Sequence, residues 1–321
     1  MKVSSIPCEY LQACKKAIVT NEYLIILTGR SILILSKTFQ LIKRIDGLKY
    51  AYEGMVSPDG KMLLIISSGA NFYMLSLITL ELLWKERVKE GKYCHLEGKG
   101  TWTLDGKCFL LIILDERTYT YTIRCYDAYD PLVYKDHNEL ATTYRIHEIL
   151  SVPSLGLYIL LKQDMLDIQF NLPPRPLMLM HYKKGQTEEY VLSSQIGIPM
   201  GMEYQENIGK LVVYTQDNTF LCDLDGENLR EITMDFDIDS NTRNPFAYFS
   251  LTMMKQIALS LNKKFVYVAS TVGFDICDSA TGEPLFSKEF GFGAENFTEI
   301  EENMLIVCKY DGGASIYKIT E

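Results

Sequence analysis

Seven times along its 321 residues the chain sets a short, almost wholly apolar run before a turn and a second β-rich run. The leading runs start near Tyr23, Lys61, Lys107, Leu157, Lys210, Phe265 and Met304 and read YLIILT, KMLLIIS, KCFLLIIL, LYILLK, KLVVYT, FVYVAS and MLIVCK. Partner runs follow from Ser31, Asn71, Tyr119, Pro176, Thr219, Phe274 and Ala314. A more polar run usually comes next, as in FQLIKRI, ELLWKERV, EEYVL, NLREITM and PLFSKEF, and a short segment such as MVSPDG or TWTLDG precedes the apolar run. The leading runs recur about every 38 to 55 residues, which is the room that four short strands and their turns require. Helical repeats would need longer runs with a 3.6-residue period. The pattern predicts an all-β fold: a seven-bladed β-propeller of four-stranded antiparallel blades, one domain over residues 1–321.

The punctuation agrees with this reading. Pro58-Asp59-Gly60 and Asp105-Gly106 fall where a blade's first strand must reverse into its second, and glycine supplies the positive backbone angle of such a turn. Ser279-Ala280-Thr281-Gly282 does the same between third and fourth strands. The seventh unit lacks a fourth strand after Ile319, whereas Lys2 to Pro7 is a spare β-capable segment. Pairing that amino-terminal strand onto the last blade is expected to complete it and remove an open edge.

SPDGKMLLIIS resembles the turn-and-strand signature of bacterial WD40-like and related seven-bladed propellers, and ICDSATGEPL resembles a strand and turn of WD40-like and quinoprotein-like blades. The resemblance implies a platform for macromolecular partners more often than an enzyme, and it does not imply which partner.

Composition excludes several alternatives. A net charge of -9 offers no basic excess to displace counterions from a nucleic-acid backbone, so nucleic acid is not expected as the partner. No signal-peptide pattern opens the chain and no apolar run reaches the length of a membrane span, so a soluble, cytoplasmic protein without membrane attachment is expected. The eight cysteines have no C-x-x-C spacing and read as reduced, buried hydrophobes. Four scattered histidines (His95, His137, His147 and His181), no phosphate-binding loop and no G-x-S-x-G elbow leave no recognisable catalytic centre, metal or cofactor. Asp235, Asp237, Asp239 and Asn241 alternate like calcium ligands, but Ser240 and Phe246 stand where a calcium loop needs glycine and glutamate, so the segment reads as an acidic loop.

Function is expected on loops. Connections between a blade's second and third strands, and between one blade and the next, emerge at the same end. Three long segments belong to that set: Lys89 to Gly100, Gln163 to Arg175 and Asp235 to Ala247. They and their neighbours would bring Arg30, Tyr50, Tyr93, Trp102, Arg117, Tyr119, Phe170, Arg175, Arg243 and Phe246 to one face, types that often anchor interfaces. Connections at the opposite end are expected to be tight turns, too short for recognition. The sequence thus predicts a non-catalytic scaffold binding a protein or peptide on the loop-bearing face. The alternative is a propeller enzyme or small-molecule binder, of lactone-hydrolase or lyase type, working at the mouth of an axial channel.

Overall fold

The computed structural model describes residues 1–88, 93–118, 120–140, 145–152, 156–162, 177–183, 186–193, 199–205, 210–215, 219–222, 229–231, 254–262, 264–270, 272–279 and 281–320. The chain divides into two units, Met1–Tyr52 with Thr233–Glu321, and Glu53–Ile232.

The first unit opens with β1 (Lys2–Ile6), a 3-10 turn (Glu9–Leu11), β2 (Lys16–Val19), β3 (Tyr23–Leu27), β4 (Ser31–Ser36) and β5 (Leu41–Asp46). The second unit begins within β6 (Ala51–Val56). It continues through β7 (Met62–Ser67), β8 (Asn71–Ser76), β9 (Leu82–Arg87), β10 (Cys94–Trp102), β11 (Cys108–Asp115), β12 (Thr120–Asp127) and β13 (Tyr134–Leu140). It ends with β14 (Arg145–Val152), β15 (Gly156–Lys162), β16 (Leu177–Lys183), β17 (Gln186–Ser193), β18 (Pro199–Gln205), β19 (Lys210–Thr215), β20 (Thr219–Cys222) and β21 (Leu229–Glu231). The chain then returns to the first unit with β22 (Met254–Leu259), β23 (Phe265–Ser270), β24 (Gly273–Asp278), β25 (Pro284–Glu289), β26 (Ala294–Glu301), β27 (Met304–Lys309) and β28 (Ala314–Thr320).

Among the described residues, the first unit holds three four-stranded sheets, β2 to β5, β22 to β25, and β26 to β28 completed by β1. β1 lies antiparallel on β28, with Lys2 opposite Thr320 and Ile6 opposite Ile316. The second unit holds the meanders β6 to β9 and β18 to β21, and an eight-stranded sheet. That larger sheet is two antiparallel meanders, β10 to β13 and β14 to β17, joined by a single parallel bridge between Lys99 and Glu148.

Burial explains why the leading runs are continuous instead of alternating. Successive side chains on a strand point to opposite faces, and both faces of β11 are covered. Phe109, Leu111 and Ile113 pack with Leu64, Ile66, Phe72 and Met74 of the preceding sheet. Leu110, Ile112 and Leu114 pack with Ile146, Ile149, Ile159 and Leu161 of the β14 to β17 meander. The outermost strands β5 and β9 alternate, because only one of their faces meets protein.

A turn of fixed hydrogen bonding starts the apolar strand in several sheets. The Ser57 hydroxyl donates to Asp59 Oδ1 at 2.7 Å, the same oxygen accepts the Lys61 amide, and Ser57 Oγ accepts the Met62 amide. Thr103, Asp105, Lys107 and Cys108 repeat the arrangement, as do Ser260, Asn262, Lys264 and Phe265. Gly60 and Gly106 occupy the left-handed region that these turns demand, at φ of 70° and 65°.

Three expectations are corrected. Lys89 to Gly100 is not one long loop, since residues 94–100 belong to β10. Cys94 and Leu96 are buried while His95 and Glu97 are half-buried, a period-2 pattern hidden by polar composition. The strand is irregular between Glu97 and Thr101, where a Cβ on Gly100 would stand 2.5 Å from the Leu110 carbonyl oxygen. Trp102 is buried and not, as expected, displayed on the surface. It is 6% exposed beside the Thr103 turn, within the core that includes Phe109, and its indole N–H donates to the Met55 carbonyl at 2.9 Å. The connections opposite the loop-bearing end are not all tight turns either, because the β12–β13 hairpin carries an apolar tip described below.

Polar side chains also tie one sheet to the next. In the second unit Glu148 Oε2 accepts the Met202 amide at 2.9 Å. In the first, Gln256 Oε1 accepts the Phe297 amide, Glu299 Oε2 accepts the Leu261 amide at 2.7 Å, and the Thr298 hydroxyl donates to the Ala17 carbonyl.

Candidate functional site

Of the expected site residues, Arg30 and Tyr50 lie in the first unit and Tyr93 and Arg117 in the second, each at a turn or connection of its own unit. In the first unit Gly29, at φ of 84°, turns β3 into β4 and leaves Arg30 exposed at the tip. The Arg30 carbonyl accepts the Leu48 amide and the Gly29 carbonyl accepts the Ala51 amide, so the connection after β5 is bound to this hairpin. Tyr50 sits in that connection at φ of 52°, a left-handed angle uncommon for a bulky residue, and is exposed. Below them Asp46 accepts bonds from Arg44 Nε and Ser31 Oγ, both at 2.8 Å, and these neighbours hold its carboxyl below the usual carboxylate range.

In the second unit Tyr93 leads into β10 and Arg117 lies in the turn between β11 and β12. The Glu116 amide donates to the Tyr93 carbonyl at 3.1 Å, and the Arg117 guanidinium carbon lies 5.8 Å from the centre of the exposed Tyr93 ring. Arg117 is oriented by Asp115, whose carboxylate it meets at 3.2 Å and whose carboxyl it holds below the usual range. One residue beyond Tyr93's neighbour Cys94, His95 Nε2 is 3.3 Å from Glu97 Oε2 and its Nδ1 is 3.6 Å from Glu116 Oε1. Tyr93, His95, Glu97, Asp115, Glu116 and Arg117 therefore form one polar and aromatic patch. Sequence reasoning left out His95, Glu97 and Glu116, because the pairing that gathers them, Cys94 with Asp115 and His95 with Leu114, depends on extending β10 to Cys94.

The arrangement suits recognition of a polar surface: a guanidinium beside an aromatic ring, and a histidine between two carboxylates, offer donors and acceptors in fixed positions. Among the described residues no three His, Cys, Asp or Glu side chains are grouped as a metal site. Tyr119, Phe170, Arg175, Arg243 and Phe246 lie outside the described residues, as do the segments 163–175 and 235–247 with the alternating acids Asp235 to Asn241. Among the described residues no helix is long and apolar enough to cross a membrane.

No protein-family profile matches the chain, and no curated protein does. Among solved structures it is similar to the β-propeller domain of Cps50 (Swd1) from Myceliophteria thermophila, with a TM-score of 0.72 at 13% identity, over 99% of this chain and 100% of that one. The likeness is one of fold, and the chain has the all-β architecture of a β-propeller.

Proposed function

We propose that the chain is a seven-bladed, WD40-like propeller, closed by β1 on the last blade, that acts as a non-catalytic scaffold for a protein or peptide partner. By the sequence pattern, the partner is assigned to the loop-bearing face. Arg30, Tyr50, Tyr93 and Arg117 serve as anchors there, and Tyr119, Arg175, Arg243 and Phe246 join them by their place in the sequence pattern. The observation that carries the reading is the Tyr93 and Arg117 pair. Both are exposed, they face each other at 5.8 Å, and each is held by a backbone or carboxylate bond, so little freedom is lost on binding.

Partners captured from native lysate by the wild-type protein and identified by crosslinking provide the test. Tyr93→Ala and Arg117→Ala should each weaken capture of the same partner by about 30-fold, the usual scale for an anchoring aromatic or arginine. Lys61→Ala and Lys107→Ala, at the other end, should leave it unchanged. Loss with the lysine variants and retention with the other two would assign the partner to the wrong end.

A further inference from the structure

We propose that the β12–β13 hairpin, residues 127–134, is a second docking surface, a preformed knob for a protein segment that combines apolar side chains with Lys or Arg. It shares with the scaffold reading only the premise that the partner is a protein, and it lies at the end where the sequence predicted no recognition.

The tip exposes four large apolar side chains within six residues. Tyr129 is 69% exposed, Leu132 62%, Val133 58% and Tyr134 51%. Single exposed apolar residues are ordinary on a protein surface, but a contiguous set is a mark of contact. Leu104 of the β10–β11 turn is also exposed, and the Ala128 amide donates to the Lys107 carbonyl at 2.8 Å, so the two hairpins adjoin.

The tip is rigid. Asp127 and Val133 close it through a 2.9 Å backbone bond, and the Val133 amide donates to the Asp130 carbonyl at 3.0 Å. Asp127 Oδ1 accepts the Tyr129 and Asp130 amides, and Asp130 Oδ1 accepts the Leu132 amide. At the base the fully buried Ala128 offers its carbonyl to the Trp84 indole. Arg124, buried and paired with Asp136, lies 4.1 Å from the Tyr134 ring centre. A hairpin fixed in this way presents its apolar residues without the ordering penalty of a flexible loop.

Charge selects the partner. Residues 127–134 carry two acids and no base. Among the described residues the turn uses Oδ1 of Asp127 and of Asp130, which leaves Oδ2 of each to accept a bond from a cation on the partner. An apolar segment flanked by Lys or Arg satisfies both features, whereas an acidic segment would meet repulsion.

A displayed library of random 12-residue peptides, panned on the whole protein with counter-selection on Tyr129→Ala/Leu132→Ala, is the test. Recovered peptides should be rich in Lys or Arg together with aliphatic or aromatic residues. Their fluorescence anisotropy should show about 30-fold or greater weakening by the double variant. Asp127→Asn and Asp130→Asn keep the turn acceptor and lose the charge, and each should weaken binding by about threefold at low salt. Tyr93→Ala and Arg117→Ala should bind these peptides as the wild type does. Recovery of acidic peptides, or of none that discriminate, overturns the proposal. Peptides lost by Tyr93→Ala and kept by the hairpin variant overturn it while leaving the scaffold reading intact. Sedimentation as a dimer that Leu132→Asp dissociates, or binding to phosphatidylcholine vesicles that Leu132→Asp abolishes, overturns it in favour of a second copy or a lipid surface.

Discussion

Two first strands reach back to the sheet before them with hydrogen bonds of opposite sign. In the second unit Trp102 of β10 donates its indole N–H to the Met55 carbonyl, inside a cluster where Phe109 meets Phe72, Trp84, Trp102 and Tyr126 at 5.3 to 6.0 Å. In the first unit Glu299 of β26 accepts from the Leu261 amide, the Asn303 amide and the Tyr267 hydroxyl. Neither bond changes the sheet order. One junction is held by an aromatic group that cannot titrate, the other by a carboxylate that can, so the two should respond differently to truncation and to pH.

Truncation of the aromatic junction is the largest expected effect. Phe109 is fully buried among four rings, and Phe109→Ala should lower stability in urea titration by about 3 to 5 kcal/mol. A change below about 1 kcal/mol would mean that the rings of this junction contribute little.

Glu299→Ala comes next. It leaves three donors without their acceptor, and about 1 to 3 kcal/mol should be lost. The pH dependence separates this junction from the other. Burial raises the Glu299 carboxyl above its ordinary value, against the hydrogen bonds from Leu261, Tyr267 and Asn303. In the unfolded chain the group ionises at the ordinary value, so between that pH and the raised one the folded protein holds the extra proton. Stability therefore falls as pH rises through this window. Thermal melting of the wild type should show that fall relative to Glu299→Gln. Parallel curves would remove Glu299 from the comparison.

Trp102→Phe deletes one donor and preserves most of the ring. It should cost about 1 kcal/mol, by the same amount at every pH from 4 to 8. A pH-dependent loss would show that Trp102 is coupled to a titrating neighbour.

The smallest effect belongs to the turns. Asp59→Asn should melt close to wild type at neutral pH, because Asn262 performs the same role in the Ser260 turn. The Ser57 hydroxyl and the Lys61 amide hold Asp59 below the usual carboxylate range, so it stabilises the fold above that range and the benefit is lost as pH falls through the lowered value. Melting in acid should therefore fall less in the variant than in the wild type.

These residues also show what sequence can and cannot disclose. The runs beginning at Tyr23, Lys61 and Lys107 were readable because a strand covered on both faces leaves an unbroken apolar string, and Asp-Gly marks the start of the latter two. The Ser260 turn escaped because Asn262 supplies the acceptor without a following glycine. The first half of β10 escaped because His95 and Glu97 mask the burial of Cys94 and Leu96. Trp102 was assigned to a surface because sequence does not distinguish an aromatic residue that packs sideways from one that points outward. Glu299 stands among Glu295, Glu301 and Glu302, and nothing local marks it as the one whose oxygens are taken. Of the proposed anchors, the closeness of Tyr93 and Arg117 depends on a pairing register between β10 and β11, a long-range property that composition does not encode.

The pairing of Lys2 with Thr320 also sets an order of events during synthesis. β1 is synthesised before its partner β28, which follows more than 300 residues later, so this antiparallel pair requires a very long loop closure. Until Thr320 emerges, β1 has no strand to lie on and β27 has one unpaired side. A nascent chain that stalls within β26 or β27 therefore carries open strand edges both at β1 and at its newest residues, which makes it a substrate for chaperones and a seed for aggregation.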